Sequence, residues 1–463
     1  MAIADGDHPT ASKLIGEILE ADPANPDGLM MRAAFSLDNN EIEPAIADLR
    51  TLLRSRPDSS PALRLLAQAQ VARGDVALAM DTLKRVVELD KTDIASRQRL
   101  AAHLAQSGSE AAALALLDEI LEIDPQWVPA LQAKARVLTA QQRWADAEAS
   151  IQKVVDMPEH RALGHALYGA LHYAQGRYTD SAVAYESAHR VTPTAIEPVM
   201  GVTMSYLAQN DPAKAADFLQ GIIDKEPANA VALNLLGETR LRENKPDEAA
   251  HQFRLAIAAR DDWAVPYLNL ARLLVARGEM NAALATYRSA LEKQPENVAL
   301  QLAFAEAQQI SGDHAGSRLT YEAIIDKQAD NVIAANNLAA LLADYDYEDP
   351  EAVRRALDLA KRFESSSNPY FVDTLGWVQF RLGDLSQARV NLERAVALLP
   401  DNPQFQYHLG IVLLRLGEHD GALQALEKAV IFGADYPGIG EARSLLADAL
   451  RQKLQPADPE GSG

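Results

Sequence analysis

The sequence predicts an all-α array of helix-turn-helix pairs, and three observations carry that prediction. The first is the stretch NPYFVDTLGWVQFRLGDLSQARVNLERAVALLPDN, from Asn368 to Asn402. It places Val372, Leu375 and Gly376 on one helical stripe and Ala388, Leu392 and Ala395 on another, with a turn at Gly383-Asp384 and a stop at Pro400. The second is a period of 34 residues on which Pro23, Pro57, Pro125, Pro193, Pro227 and Pro295 all fall, with Lys91, Glu159, Asp261 and Ala329 in the gaps. The third is a small residue recurring in step, as Ala11, Ala45, Ala79, Ala113, Ala147, Ala215, Ala249, Ala283, Ala388 and Ala422, with Ser181 and Ser317 substituting. A small side chain there lets two helix backbones approach closely. One pair cannot bury its apolar sides alone, so the pairs must stack.

Residues 1–25 read as the second helix of a truncated repeat. Gly6-Asp7 matches the turn at Gly383-Asp384, and Ala11, Ile15 and Ile18 match Ala388, Leu392 and Ala395. A stack that opens on a second helix has a raw end, so the chain is expected to be a fragment of a longer protein with upstream repeats and any targeting sequence removed. Twelve repeats over residues 26–436 start near Pro26, Ser60, Ile94, Val128, Ala162, Ile196, Ala230, Ala264, Val298, Val332, Pro369 and Pro403. The first is degenerate, with Arg32 at an apolar position. Gly74, Gly108, Gly176, Asn210, Asn244, Gly278, Gly312 and Gly417 mark the turns inside the pairs, where left-handed backbone ends a helix. The period gains three residues between Ala329 and Pro400, and the excess reads as an insertion at ADYDYEDPE, residues 343–351. Gly433 and Pro437 then break the chain. Ala442, Leu445, Leu446 and Ala449 give Ile439 to Leu454 the one-sided face of a capping helix within 437–454, and 455–463 reads as a disordered tail ending EGSG.

Composition removes several function classes. With 65 acidic against 44 basic residues the net charge is −21, which argues against nucleic acid, whose phosphates need a basic footprint. No cysteine is present, so disulfides, thiolate metal sites and cysteine nucleophiles are excluded. MAIADGDHPT has neither the basic nor the apolar region of a signal peptide. Asp344, Asp346 and Glu348 alternate like the first ligands of a calcium loop, but Asp349 stands where glycine is required and Arg355 where a bidentate glutamate is. His160, His165 and His172 suit helix packing better than a metal, and no phosphate loop, H-E-x-x-H or nucleophile elbow occurs. The expectation is a chain without catalytic residues, metal or cofactor.

The repeat carrying Leu375-Gly376, Gly383, Ala388, Leu392, Ala395 and Pro400 resembles the tetratricopeptide repeat. The resemblance implies a right-handed superhelical solenoid whose first helices line a concave, protein-binding groove. In that register the groove carries Met200 and Met204 beside Leu167 and Ala170, an apolar stretch suited to an amphipathic helix. Further on it carries Asn234, Glu238, Asn269, Arg272, Asn336 and Asn337, whose amides can pair with a peptide backbone. Near the C-terminus it carries Asp373, Trp377, Arg381, Tyr407, His408 and Arg415, with aromatic and arginine anchors of the kind common at interfaces. The carboxylate clamp of chaperone-binding members is matched in part by Asn234, Asn269 and Arg272, but its lysines are missing and Glu238 adds the wrong charge.

Over residues 331–450, NNLAALLAD, ADYDYEDPE, ALDLAKRF and PQFQYHLGIVLLRLGE together are similar to bacterial envelope proteins of exopolysaccharide and PEP-CTERM (exosortase) systems. That resemblance implies a non-enzymatic scaffold on the periplasmic side of the envelope, binding a peptide or helix of a protein partner. Two alternatives stay open: the regulatory or substrate-recruiting part of a larger enzyme such as a glycosyltransferase, and a cytoplasmic scaffold that self-associates. Oligomeric state stays open as well.

Overall fold

The computed structural model describes residues 8–431, 436 and 438–454. The turn read at Gly6-Asp7, the break at Gly433 and Pro437, and the tail 455–463 lie outside the described residues. Among those described there are 26 α-helices, two short 3-10 helices and no strand. The fold class is all-α, as the sequence predicts, and none of the described helices is long and apolar enough to cross a membrane. The chain divides into two compact units, Met1–Pro227 and Ala228–Gly463.

Local chemistry sets the helix boundaries. Asn25, Asn229, Asn297, Asn331, Asn368 and Asn402 each cap a first helix by accepting backbone N–H groups on the side-chain oxygen. The turns inside the pairs use positive φ at Gly74 and Gly417, and also at Asn210, Asn244 and Gln142. Gln142 has φ 58°, a left-handed turn the sequence does not announce, because this residue type gains nothing there.

In the first unit each helix packs on the next, and the small-residue phase sits at the crossings. Ala45, Ala79, Ala113, Ala147 and Ala215 are fully buried. Ser181 belongs to the same set, and its hydroxyl donates to the Gly169 carbonyl at 2.8 Å, so the polar group costs little there. Tyr185 lies against two glycines of successive first helices, where an added Cβ would come within 2.6 Å of its ring at Gly169 and 2.5 Å at Gly201. The odd Arg32 is explained by a bidentate pair with Asp48, Nε to Oδ2 at 2.6 Å and Nη2 to Oδ1 at 2.7 Å.

The second unit repeats the scheme around a larger core, which includes Tyr321, Phe363, Trp377, Tyr407 and Tyr436. Its spacing changes at one pair. Helices Val332–Tyr345 and Pro350–Ala360 start 18 residues apart, against 16 for Pro369–Arg381 and Leu385–Leu398. The following first helix then starts 19 residues after Pro350, against 18 from Leu385 to Pro403. The excess is therefore not confined to residues 343–351: two residues lie within the pair and the third follows it, where Lys361–Phe363 forms a 3-10 turn. Asp344 and Tyr345 remain helical, because Ala343 and Leu342 beneath them are buried and hold the last turn in place.

Candidate functional site

Exposure of the first-helix side chains decides which can meet a partner. In the first unit Met200 and Met204 are 43% and 49% exposed, whereas Leu167 is in the core. The apolar stretch expected around the methionines therefore loses Leu167, whose side chain packs with Leu131, Leu138 and Ile151.

In the second unit the asparagines divide into two groups. Asn269 Nδ2 donates to Asn234 Oδ1 at 3.1 Å and to Glu238 Oε1 at 2.8 Å, and Asn234 Nδ2 donates to the same Glu238 oxygen at 2.8 Å. Asn234 is buried, so it does not face a partner as expected; its amide joins two adjacent first helices instead. Arg272, on the same helix as Asn269, is exposed. Asn336 and Asn337 differ from that pair. Asn337 Nδ2 donates to the Tyr321 hydroxyl at 3.3 Å, Asn336 Nδ2 donates to Asn337 Oδ1 at 3.2 Å, and Asn336 Oδ1 is buried without a partner. Burial pushes the Tyr321 phenol up to about 12, so it stays a neutral hydroxyl.

These residues border an open groove of about 610 Å³ lined also by Glu306, Ile310, Ala340, Tyr345 and Tyr436. Ile310 is 58% exposed, a large apolar side chain beside amide and carboxylate groups. That combination suits a peptide, whose backbone needs hydrogen bonds and whose side chains need apolar contact. Ile310 and Glu306 were not singled out from the sequence, although they share the helical face of the chosen positions. Tyr436 lies outside the repeat, and no periodicity points to it.

The C-terminal group is corrected more thoroughly. Asp373, Trp377, Tyr407 and His408 are all buried, so they are not exposed anchors. Trp377 donates from Nε1 to Asp344 Oδ1 at 2.7 Å and stacks on His408 at 4.0 Å between ring centroids. His408 Nδ1 lies 2.9 Å from Asp373 Oδ2. Tyr407 donates to Glu441 Oε2 at 2.7 Å, and Gly438 lies so close to the Tyr407 ring that a Cβ there would sit 2.4 Å from Cε1. The segment after the last pair thus covers Tyr407. Arg381 stacks over Tyr347 and Trp377 at 4.1 and 4.5 Å, and Arg415 is exposed above Phe380 at 5.9 Å. Burial raises the Asp344 carboxyl above its ordinary range, opposed by His408, the Trp377 hydrogen bond and Arg381. Among the described residues no group of three or more His, Asp or Glu could hold a metal ion.

Comparison with known proteins agrees with the periodicity. A family model described as tetratricopeptide repeat matches residues 133–195, 204–262, 268–332 and 374–438, together more than half of the chain. A second model of the same description matches residues 2–69 and 37–104. A curated TPR repeat-containing protein of Pseudomonas aeruginosa is 28% identical over 162 residues, which are 35% of this chain and 27% of that protein. The matched stretch thus spans little more than a quarter of the length of that relative. Among solved structures, a tetratricopeptide repeat protein from Parabacteroides merdae matches 54% of this chain and 98% of its own, at 19% identity and a TM-score of 0.41. Yeast Tom70 matches 87% and 98%, at 15% identity and a TM-score of 0.40. Scores at this level carry no argument about function.

Proposed function

The chain belongs to the tetratricopeptide repeat family, and from that premise we propose that it is a non-enzymatic scaffold that binds a peptide or helix of a protein partner in the groove beside Asn336, Asn337 and Ile310. Tetratricopeptide repeats imply a protein-protein interaction scaffold; the groove as the place of contact is our reading. One observation carries it. The Asn336 carbonyl oxygen is buried without a donor at the edge of a groove whose apolar wall, Ile310, is more than half exposed. A peptide N–H there would satisfy the oxygen while an apolar side chain covers the isoleucine.

For setting, we propose the periplasmic side of a bacterial envelope, in an exopolysaccharide-export or protein-sorting assembly. The support is the run NNLAALLAD followed by DTLGWVQFRLGD and YHLG, on which the resemblance to envelope proteins rests. The test is a crosslinking pull-down in the native host, comparing the wild type with Ile310→Glu, a substitution at an exposed position that leaves the core intact. Loss of export or sorting components with the variant is expected. Recovery of the same partners by both proteins would remove the groove from the reading.

A further inference from the structure

The first unit holds a second feature that peptide binding by the other unit does not use. Each second helix has an inward position twelve residues from its start, and ten of the twelve pairs fill it with Leu, Ile or Val, Leu53 and Val430 being the first and last. Helix Tyr178–Val191 carries His189 there instead. The imidazole packs edge-on against Phe218, with ring centroids 5.6 Å apart at 73°, and its Nδ1 is buried with no partner. An aliphatic residue would leave no such unsatisfied nitrogen, so a ring at this phase is an anomaly that packing alone does not account for.

The ring forms part of the wall of a cavity of about 530 Å³, bounded by helices Tyr178–Val191, Ile196–Ala208 and Pro212–Ile223. Gly221 keeps it open, since no atom lies within 4 Å of where its Cβ would be. The charges around it are distinctive for a chain of net −21. Lys214 is engaged by Asp211 at 2.9 Å, and Glu186 accepts from the Tyr206 hydroxyl at 2.7 Å. Arg190 donates to Ser187 Oγ at 2.9 Å. Arg190 and Lys225 form no ion pair among the described residues, and Asp217 is the remaining carboxylate on the wall. Two unneutralised cations therefore converge on a buried ring nitrogen beside an aromatic face.

We propose that this cavity binds an oxyanion, a carboxylate or phosphate group of a small ligand, held by His189 Nδ1–H, Arg190 and Lys225 while Phe218 packs against the rest of the ligand. The volume is in the range of small-molecule sites and exceeds what a bare anion needs. Burial and the nearby Lys225 hold the imidazole below its ordinary pKa, with Glu186 acting weakly the other way. An anion seated beside the ring reverses that balance and favours the imidazolium.

The experiment is a pH titration of the histidine ring signals of the full chain by NMR, with inorganic phosphate, citrate or chloride added at matched ionic strength. His189→Leu, the residue type of the other repeats, assigns the His189 signal by its loss. Phosphate or citrate is expected to move the His189 midpoint upward by roughly half a unit or more relative to chloride, and Lys225→Gln is expected to shrink that movement. A response to phosphate alone assigns a phosphate-bearing ligand, and one to citrate alone a carboxylate. Equal midpoints in all three salts, or a movement that Lys225→Gln leaves unchanged, would overturn the proposal.

Discussion

Trp377 Nε1 donates to Asp344 Oδ1 at 2.7 Å, and these two residues come from first helices of successive pairs. The bond crosses the one place where the repeat spacing is altered, so it restores a tie that displaced packing would otherwise weaken. Trp377→Phe keeps most of the apolar area but leaves the buried carboxyl without its donor. A loss of about 1–3 kcal/mol is expected, read by urea unfolding followed by far-UV circular dichroism.

Asp344 also makes the second unit sensitive to pH. Its folded-state pKa is raised above the ordinary 3.8. A raised acid contributes stability that is fully present below the unfolded pKa and is lost as pH rises through the folded value. The unfolding temperature of the second unit should therefore fall as pH climbs from about 4, and Asp344→Asn should flatten that slope while keeping an acceptor for Trp377. An Asn variant with the wild-type slope would assign the dependence to other groups.

Asn269 is expected to matter for stability and not for partner capture. Its amide is spent on Asn234 and Glu238, so Asn269→Ala should cost about 1 kcal/mol in thermal unfolding and leave the crosslinked partners unchanged. Ile310→Glu should do the reverse.

Gly438 has φ +99° and touches the Tyr407 ring. Gly438→Ala adds backbone strain and a clash at once, with an expected cost of about 1–3 kcal/mol. Hydrogen exchange should then quicken in Ile439–Leu454 more than in Pro369–Arg381.

How much was legible follows from what each inference needs. Helix pairs are fixed by apolar phase and by turn residues, both written locally, so the all-α array and the turn positions from Gly74 to Gly417 could be read directly. Exposure depends on neighbours. Asn234 and Met200 hold the same phase, yet Asn234 is buried because Asn269 and Glu238 reach over it, while Met200 has no such cover. Trp377 shares the phase of Met204, and is buried because His408 and Arg381 stack on its faces. Tyr436 comes from a segment without repeat phase, so its part in covering Tyr407 was invisible to periodicity.

The Tyr185 ring between Gly169 and Gly201 has a bearing on how such a gene can change. Recombination between similar repeats adds or deletes them one at a time, in steps of 34 codons. Deleting residues 196–229 would bring Leu235 to the phase of Gly201 and drive its side chain into the ring. Deleting residues 162–195 would remove the ring and leave Gly201 facing the phase of Ile151, too small to fill the space. The two repeats are therefore inherited as one block, and the copy number of the array is locked at that point while it stays free to drift where alanine meets leucine.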